Sequence, residues 1–84
     1  MTKDEVLELI RGHLAEELEI DVGQIGEDTR FKEDLEADSL DLVELVMELE
    51  DRYGVRIPDE EAAKIHTVGQ AADFVVARAP ERAG

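Results

Sequence analysis

The chain has 84 residues, no cysteine and a formal net charge of −14, from 23 acidic against 9 basic residues. A chain this short admits one domain with a modest core, about 60% of its unfolded surface being buried at this size, and its charge excludes phosphate-backbone binding, which needs clustered lysine and arginine. Without cysteine there is no disulfide framework and no thiolate metal site, so partners with positive patches are the expectation instead.

The N-terminal MTKDEVLELI lacks the basic-then-apolar plan of a signal peptide, and no apolar run approaches the ~20 residues that span a bilayer. A soluble, cytoplasmic protein without membrane insertion is expected. Thr2 and Glu5 form a capping box ahead of an amphipathic helix that turns Val6, Leu7, Ile10, Leu14 and Leu18 inward and ends near Glu19. Residues 20–38, IDVGQIGEDTRFKEDLEAD, hold Gly23 and Gly26 and no sustained period. They read as a long loop anchored by Ile25, Phe31 and Leu35, and a loop this long in so small a domain is often functional. A second helix runs over 39–53 and closes at Gly54, followed by an extended link from Val55 to Pro58 and a short acidic helix from Asp59 to Lys64. Thr67 and Gln70 form another capping box, opening a last helix with Val68, Ala71, Ala72 and Val75 inward. That helix is expected to stop at Pro80, leaving residues 80–84 as a frayed tail. The fold class is therefore all-α: a small up-down four-helix bundle, three main helices and one short, with a long loop between helices 1 and 2. The chain, 1–84, reads as a single domain and a monomer, since its inward faces suffice for one small core and its outer faces are heavily charged.

Winding residues 39–53 at about 100° per residue puts Leu42, Leu45, Val46, Leu49 and Tyr53 on one side, an ordinary core face. On the other side Leu40, Val43 and Met47 sit together, flanked by Glu50 on one edge and by Asp51, Glu44, Glu48 and Asp41 on the other. An apolar strip framed by carboxylates reads as a docking surface for basic partners with an apolar centre. The alternative is that the long loop covers the strip.

The run DLEADSLDLVELVMELE, the later RIPDEEAAKI and the helix–long loop–helix spacing resemble the acyl carrier proteins of dissociated (type II) fatty-acid synthesis over nearly the whole chain. The resemblance implies a non-catalytic carrier whose Ser39 bears 4′-phosphopantetheine, transferred from coenzyme A by a holo-carrier-protein synthase (a phosphopantetheinyl transferase). The arm's terminal thiol would hold acyl chains as thioesters and deliver them to fatty-acid synthesis enzymes with basic docking patches. The family's recognition helix maps onto Asp38, Leu40, Asp41, Val43, Glu44, Met47, Glu50 and Asp51, the face the helical wheel selects independently. An acyl pocket is implied at Val46, Leu49, Ala62 and Ile65. Members commonly carry glycine where this chain has Glu36; if that position takes a positive φ, glutamate there costs of order 1 kcal/mol.

Elementary chemistry at the motif agrees with the resemblance. A phosphodiester on Ser39 would lie at a helix N-terminus, which favours an anion by ~0.3–1 kcal/mol. Asp38 and Asp41 oppose it, so a divalent cation or the transferase's basic residues must neutralise the site during transfer. No general base stands beside Ser39 in sequence, so its activation falls to the modifying enzyme. His13 and His66 read as structural or solvated. No metal site is expected: Asp34, Glu36 and Asp38 stand at the first, third and fifth positions of a calcium loop, but Ser39 replaces its glycine and Leu45 its bidentate glutamate. An acidic mimic of nucleic acid is the remaining class, and it would not depend on Ser39 at all.

Overall fold

The computed structural model describes residues 2–78. The expected stop at Pro80 and the frayed tail at 80–84 lie outside the described residues. Helix α1 spans Lys3–Leu18, α2 Ser39–Tyr53, α3 Asp59–Ala62 and α4 Val68–Arg78. Among the described residues the only extended pairing is a single bridge between Arg30 and Thr67, so the all-α bundle expected from the sequence is the fold.

Each main helix begins where its polar residues can satisfy the first free amides. Thr2 Oγ1 accepts from Glu5 N while the Glu5 carboxylate accepts from Thr2 N at 3.0 Å. Asp38 and Asp41 exchange the same reciprocal bonds at 3.0 and 3.2 Å ahead of α2, and Thr67 and Gln70 do so ahead of α4 at 3.1 and 3.2 Å. Caps of this kind contribute about 1 kcal/mol each. α1 closes on Glu19 at φ 56° and α2 on Gly54 at φ 67°, the left-handed ending that glycine adopts without penalty.

The core is built mainly where α1 lies against α4. Val6, Ile10, Leu14, Val68, Ala72 and Val75 are wholly covered there. Leu7 and Leu18, expected inward, are only half-buried because they flank this stripe. Gly69 has a packing reason: a Cβ there would meet the Glu27 backbone oxygen at 2.9 Å, and its amide donates to that same oxygen at 2.8 Å.

The long loop is clamped rather than slack. Arg11 on α1 donates to the carbonyls of Ile25 at 2.7 Å and Val22 at 3.1 Å, and the amides of Phe31 and Val68 bond His66 and Thr29 across to the start of α4 at 3.0 Å each. Ile25, Phe31 and Ala37 are buried and Leu35 half-buried. The loop also holds a 3₁₀ turn at Val22–Gln24, capped by Asp21. The short helix is shorter than the sequence predicts. Beyond Ala62 the amides of Lys64 and Ile65 turn to the carbonyls three residues back, at 3.0 and 3.1 Å, so the last expected residues form tighter turns instead of α-helix.

Candidate functional site

Ser39 is the first residue of α2 and is exposed, directly after the Asp38 cap. Among the described residues its hydroxyl makes no hydrogen bond, so the capping falls to Asp38 and Asp41 and the serine oxygen stands open to a reagent. No helix among the described residues is long and apolar enough to cross a membrane.

The outer face of α2 is bare. Leu40, Val43 and Met47 are 66%, 51% and 61% exposed, so the loop does not cover them and that alternative is set aside. Glu44 and Asp51 flank them in the open. Asp41 and Glu50 are less free than the helical wheel implies. Asp41 is half-buried and closes the capping box, while a Glu50 carboxylate oxygen accepts from Ile57 N at 2.8 Å. Each is tied to the protein through one oxygen and can face a partner only with the other.

A cleft of about 540 Å³ opens beside Ser39 between α2 and α3, with Val43, Met47, Pro58 and Ala63 on its rim. Leu42, Val46, Ile57 and Ala62 line this cleft and also an inner apolar cavity of about 40 Å³. That cavity contains all four residues expected to form an acyl pocket, Val46, Leu49, Ala62 and Ile65, together with Phe31, Leu45 and Ala71. The cleft beside the serine and the inner cavity thus share side chains as walls. The sequence reading gave Leu42 no role beyond the core face, yet it stands where cleft meets cavity; its period fits a core position equally well, so only the structure separates the two roles.

One carboxylate group was invisible to a wheel drawn for α2 alone. Glu17 on α1 comes against Asp41 and Glu44, with one oxygen of each within 4.8 Å of the others. Hydrogen bonding to Glu44, reinforced by its charge, holds the Glu17 carboxyl above its ordinary range, as expected of two carboxyls that cannot both ionise without strain. These three could offer oxygens to a cation. The calcium-loop trio does not converge in that way. Asp34 accepts from the Arg30 amide at 2.8 Å and from its guanidinium at 3.3 Å, which hold its carboxyl below the usual range, and Asp38 is spent on the α2 cap.

Glu36 takes φ 54°. The residue that departs from the resembled pattern thus occupies a left-handed conformation, where a side chain costs of order 1 kcal/mol.

Residues 8–75 match the family model described as "Phosphopantetheine attachment site". An acyl carrier protein of Rubrobacter xylanophilus is 53% identical over 76 residues, covering 90% of this chain and 94% of that protein. One from Lactobacillus acidophilus is 45% identical over 75 residues, covering 89% and 94%. Among solved structures, the acyl carrier protein of Enterococcus faecalis superposes with a TM-score of 0.81 at 40% identity, covering 94% of this chain and all of that one. That of Thermotoga maritima gives 0.76 at 33%, covering 90% and 88%.

Proposed function

The chain belongs to the phosphopantetheine-attachment family as an acyl carrier protein, and from that premise we propose that Ser39 Oγ is the attachment point of its 4′-phosphopantetheine. The protein is a non-catalytic carrier of acyl intermediates in fatty-acid synthesis. Its prosthetic arm supplies the terminal thiol on which acyl groups ride as thioesters.

The observation that carries the assignment to Ser39 is positional. It is an exposed serine with an unengaged hydroxyl, at the N-terminus of α2 and in the lining of the cleft that shares walls with the inner cavity. The residues fit the group: the helix N-terminus favours a phosphodiester, and the Asp38–Asp41 cap keeps α2 formed whatever is attached next to it. The exposed strip of Leu40, Val43 and Met47, with Asp38, Asp41, Glu44, Glu50 and Asp51 around it, is the docking face for a phosphopantetheinyl transferase and for acyl-processing enzymes with basic patches. Val46, Leu49, Ala62 and Ile65 shelter the front of the acyl chain. A single domain working as a monomer in the cytoplasm completes the reading.

Incubation with a phosphopantetheinyl transferase and coenzyme A, followed by intact mass, tests it. The wild-type chain should gain one phosphopantetheine group. Ser39→Ala should gain none while its helical circular dichroism stays the same, because Asp38 still caps α2. A modified alanine variant would show that the site lies elsewhere.

A further inference from the structure

Among the described residues the exposed large apolar side chains are Val22, Leu40, Val43, Met47 and Val76. Val22, Leu40, Val43 and Val76 are inert hydrocarbon. Met47 alone carries a polarisable thioether sulfur, and at 61% exposure it stands in the open. The chain holds no cysteine and no tryptophan, and its other methionine is Met1, outside the described residues. A two-electron oxidant that reaches the described surface therefore meets one sulfur atom, and that atom belongs to the outer face of α2.

The place of Met47 on that face is particular. It lines the cleft beside Ser39 together with Val43, and it is also the one apolar side chain among Glu44, Glu48, Glu50 and Asp51. A partner that sets cations against these carboxylates has to cover the thioether between them.

Oxidation changes what is covered. Hydrogen peroxide transfers one oxygen to a sulfur lone pair: the O–O bond breaks, the S–O bond forms and sulfur gives up two electrons. The departing hydroxide takes the proton of the transferred oxygen and leaves as water. The apolar thioether becomes a dipolar sulfoxide. Its oxygen is an acceptor set among ionised carboxylates, which offer no donor. In the free carrier it is hydrated, and docking must strip that water away. The fold is indifferent, because Met47 belongs neither to the buried core nor to the side chains packed against it.

We propose that Met47 is a modification site for hydroperoxides, and that its reversible oxidation to the sulfoxide weakens docking on the outer face of α2 without unfolding the carrier. The polypeptide itself has no thiol to undo the change. The reverse step takes an outside dithiol, which becomes a disulfide as the sulfoxide oxygen leaves as water. The proposal rests on the reading of α2 as the docking face.

The test exposes the apo chain, which lacks the thiol of the arm, to hydrogen peroxide, removes the peroxide, and measures kcat/KM for arm transfer from coenzyme A by a phosphopantetheinyl transferase. Peptide mass mapping should place one added oxygen on Met47. kcat/KM should fall about three- to tenfold, through a raised KM with kcat little changed, and should recover after treatment with a methionine sulfoxide reductase and dithiothreitol. Met47→Leu has no sulfur at this position but keeps Met1. Whatever its own kcat/KM, that value should be the same before and after peroxide. Urea midpoints of the oxidised and untreated wild-type chains should coincide.

A peptide map without oxygen on Met47, or full oxidation with KM unchanged, would overturn the proposal. So would an equal loss in peroxide-treated Met47→Leu, which puts the damage elsewhere, and a urea midpoint that falls on oxidation, which makes the loss one of folding. Glu44→Lys separates these failures from failure of the α2 reading. Docking weakened by Glu44→Lys but not by oxidation keeps the α2 face and loses the switch alone, whereas a KM unmoved by either would overturn the docking face and the proposal together.

Discussion

Where α1 meets α4, six apolar side chains are wholly covered, whereas on the α2–α3 side Leu42, Val46, Ala62 and Ile65 stay half-buried around an unfilled cavity. The two halves also differ in how their helices are held. α4 starts on a reciprocal cap, and its first two amides donate to the loop carbonyls of Thr29 and Glu27, while α3 is four residues long and has no side-chain cap. Complete burial is concentrated away from Ser39, and α3, which among the described residues is the one α-helix without a side-chain cap, lies on the Ser39 side. In such a division one half holds the fold together while the other can open for a guest.

The largest expected effect tests that division directly. Ile10→Ala should cost about 2–5 kcal/mol, the usual range for a fully buried isoleucine. Ile65→Ala removes the same atoms from a half-buried site beside existing empty space, so its cost should fall below that range. Urea midpoints of the two variants give the answer, and equal losses would mean that the cavity side is as tightly built as the α1–α4 side.

Loading the arm sharpens the comparison from the other direction. An octanoyl chain that places six methylenes in the cavity would gain at most about 5 kcal/mol, less the cost of ordering the chain and moving α3. Release to an enzyme remains feasible on that balance. Nuclear magnetic resonance shifts between the holo and octanoyl forms should concentrate on Val46, Leu49, Ala62 and Ile65 and spare Val6, Ile10 and Val75. Shifts absent from the first group would argue against an internal route for the chain.

A smaller effect lies in the loop that joins the halves. Glu36→Gly should raise stability by at most about 1 kcal/mol, because glycine takes φ 54° without a Cβ penalty but loses more freedom on folding. Glu36→Ala should give no gain. Thermal midpoints of the pair separate backbone strain from loss of charge, since both variants remove the carboxylate.

The residues that were legible in advance are those whose signal is local. Thr2 with Glu5 and Thr67 with Gln70 mark helix starts by chemistry three residues apart, and the 3.6-residue period of α2 separates Leu45 and Leu49 from Leu40, Val43 and Met47. Ser39 stood out through its neighbours in sequence for the same reason. Features that depend on tertiary approach were not legible. Glu17 sits 24 positions before Asp41 and meets it only because α1 crosses α2, and Glu50 looks free on a wheel until Ile57 N reaches it. Nothing in the composition of α3 shows that its last turn tightens, because its residues suit either helix form.

The smallest effect is electrostatic and contrasts the two halves once more. Near α2 the Glu17 carboxyl is raised by Glu44, whereas in the clamped loop the Asp34 carboxyl is lowered by Arg30. A raised carboxyl binds its proton more firmly in the folded chain, so its contribution is fully present below the ordinary glutamate value and is lost as pH rises through the folded value. A lowered carboxyl works oppositely, contributing above the ordinary aspartate value and losing that contribution as pH falls through the folded value. Glu17→Gln should therefore match wild type in acid and become the more stable of the two toward neutral pH, where Glu17 and Glu44 repel each other. Asp34→Asn should be the less stable at neutral pH, with the deficit vanishing in strong acid. Both groups are exposed, so the differences are modest and shrink with salt. Urea midpoints measured across the acid range decide the matter: a Glu17→Gln advantage that grew as pH fell would mean that the Glu17–Glu44 contact is attractive in the ionised state, as a bridging cation would make it.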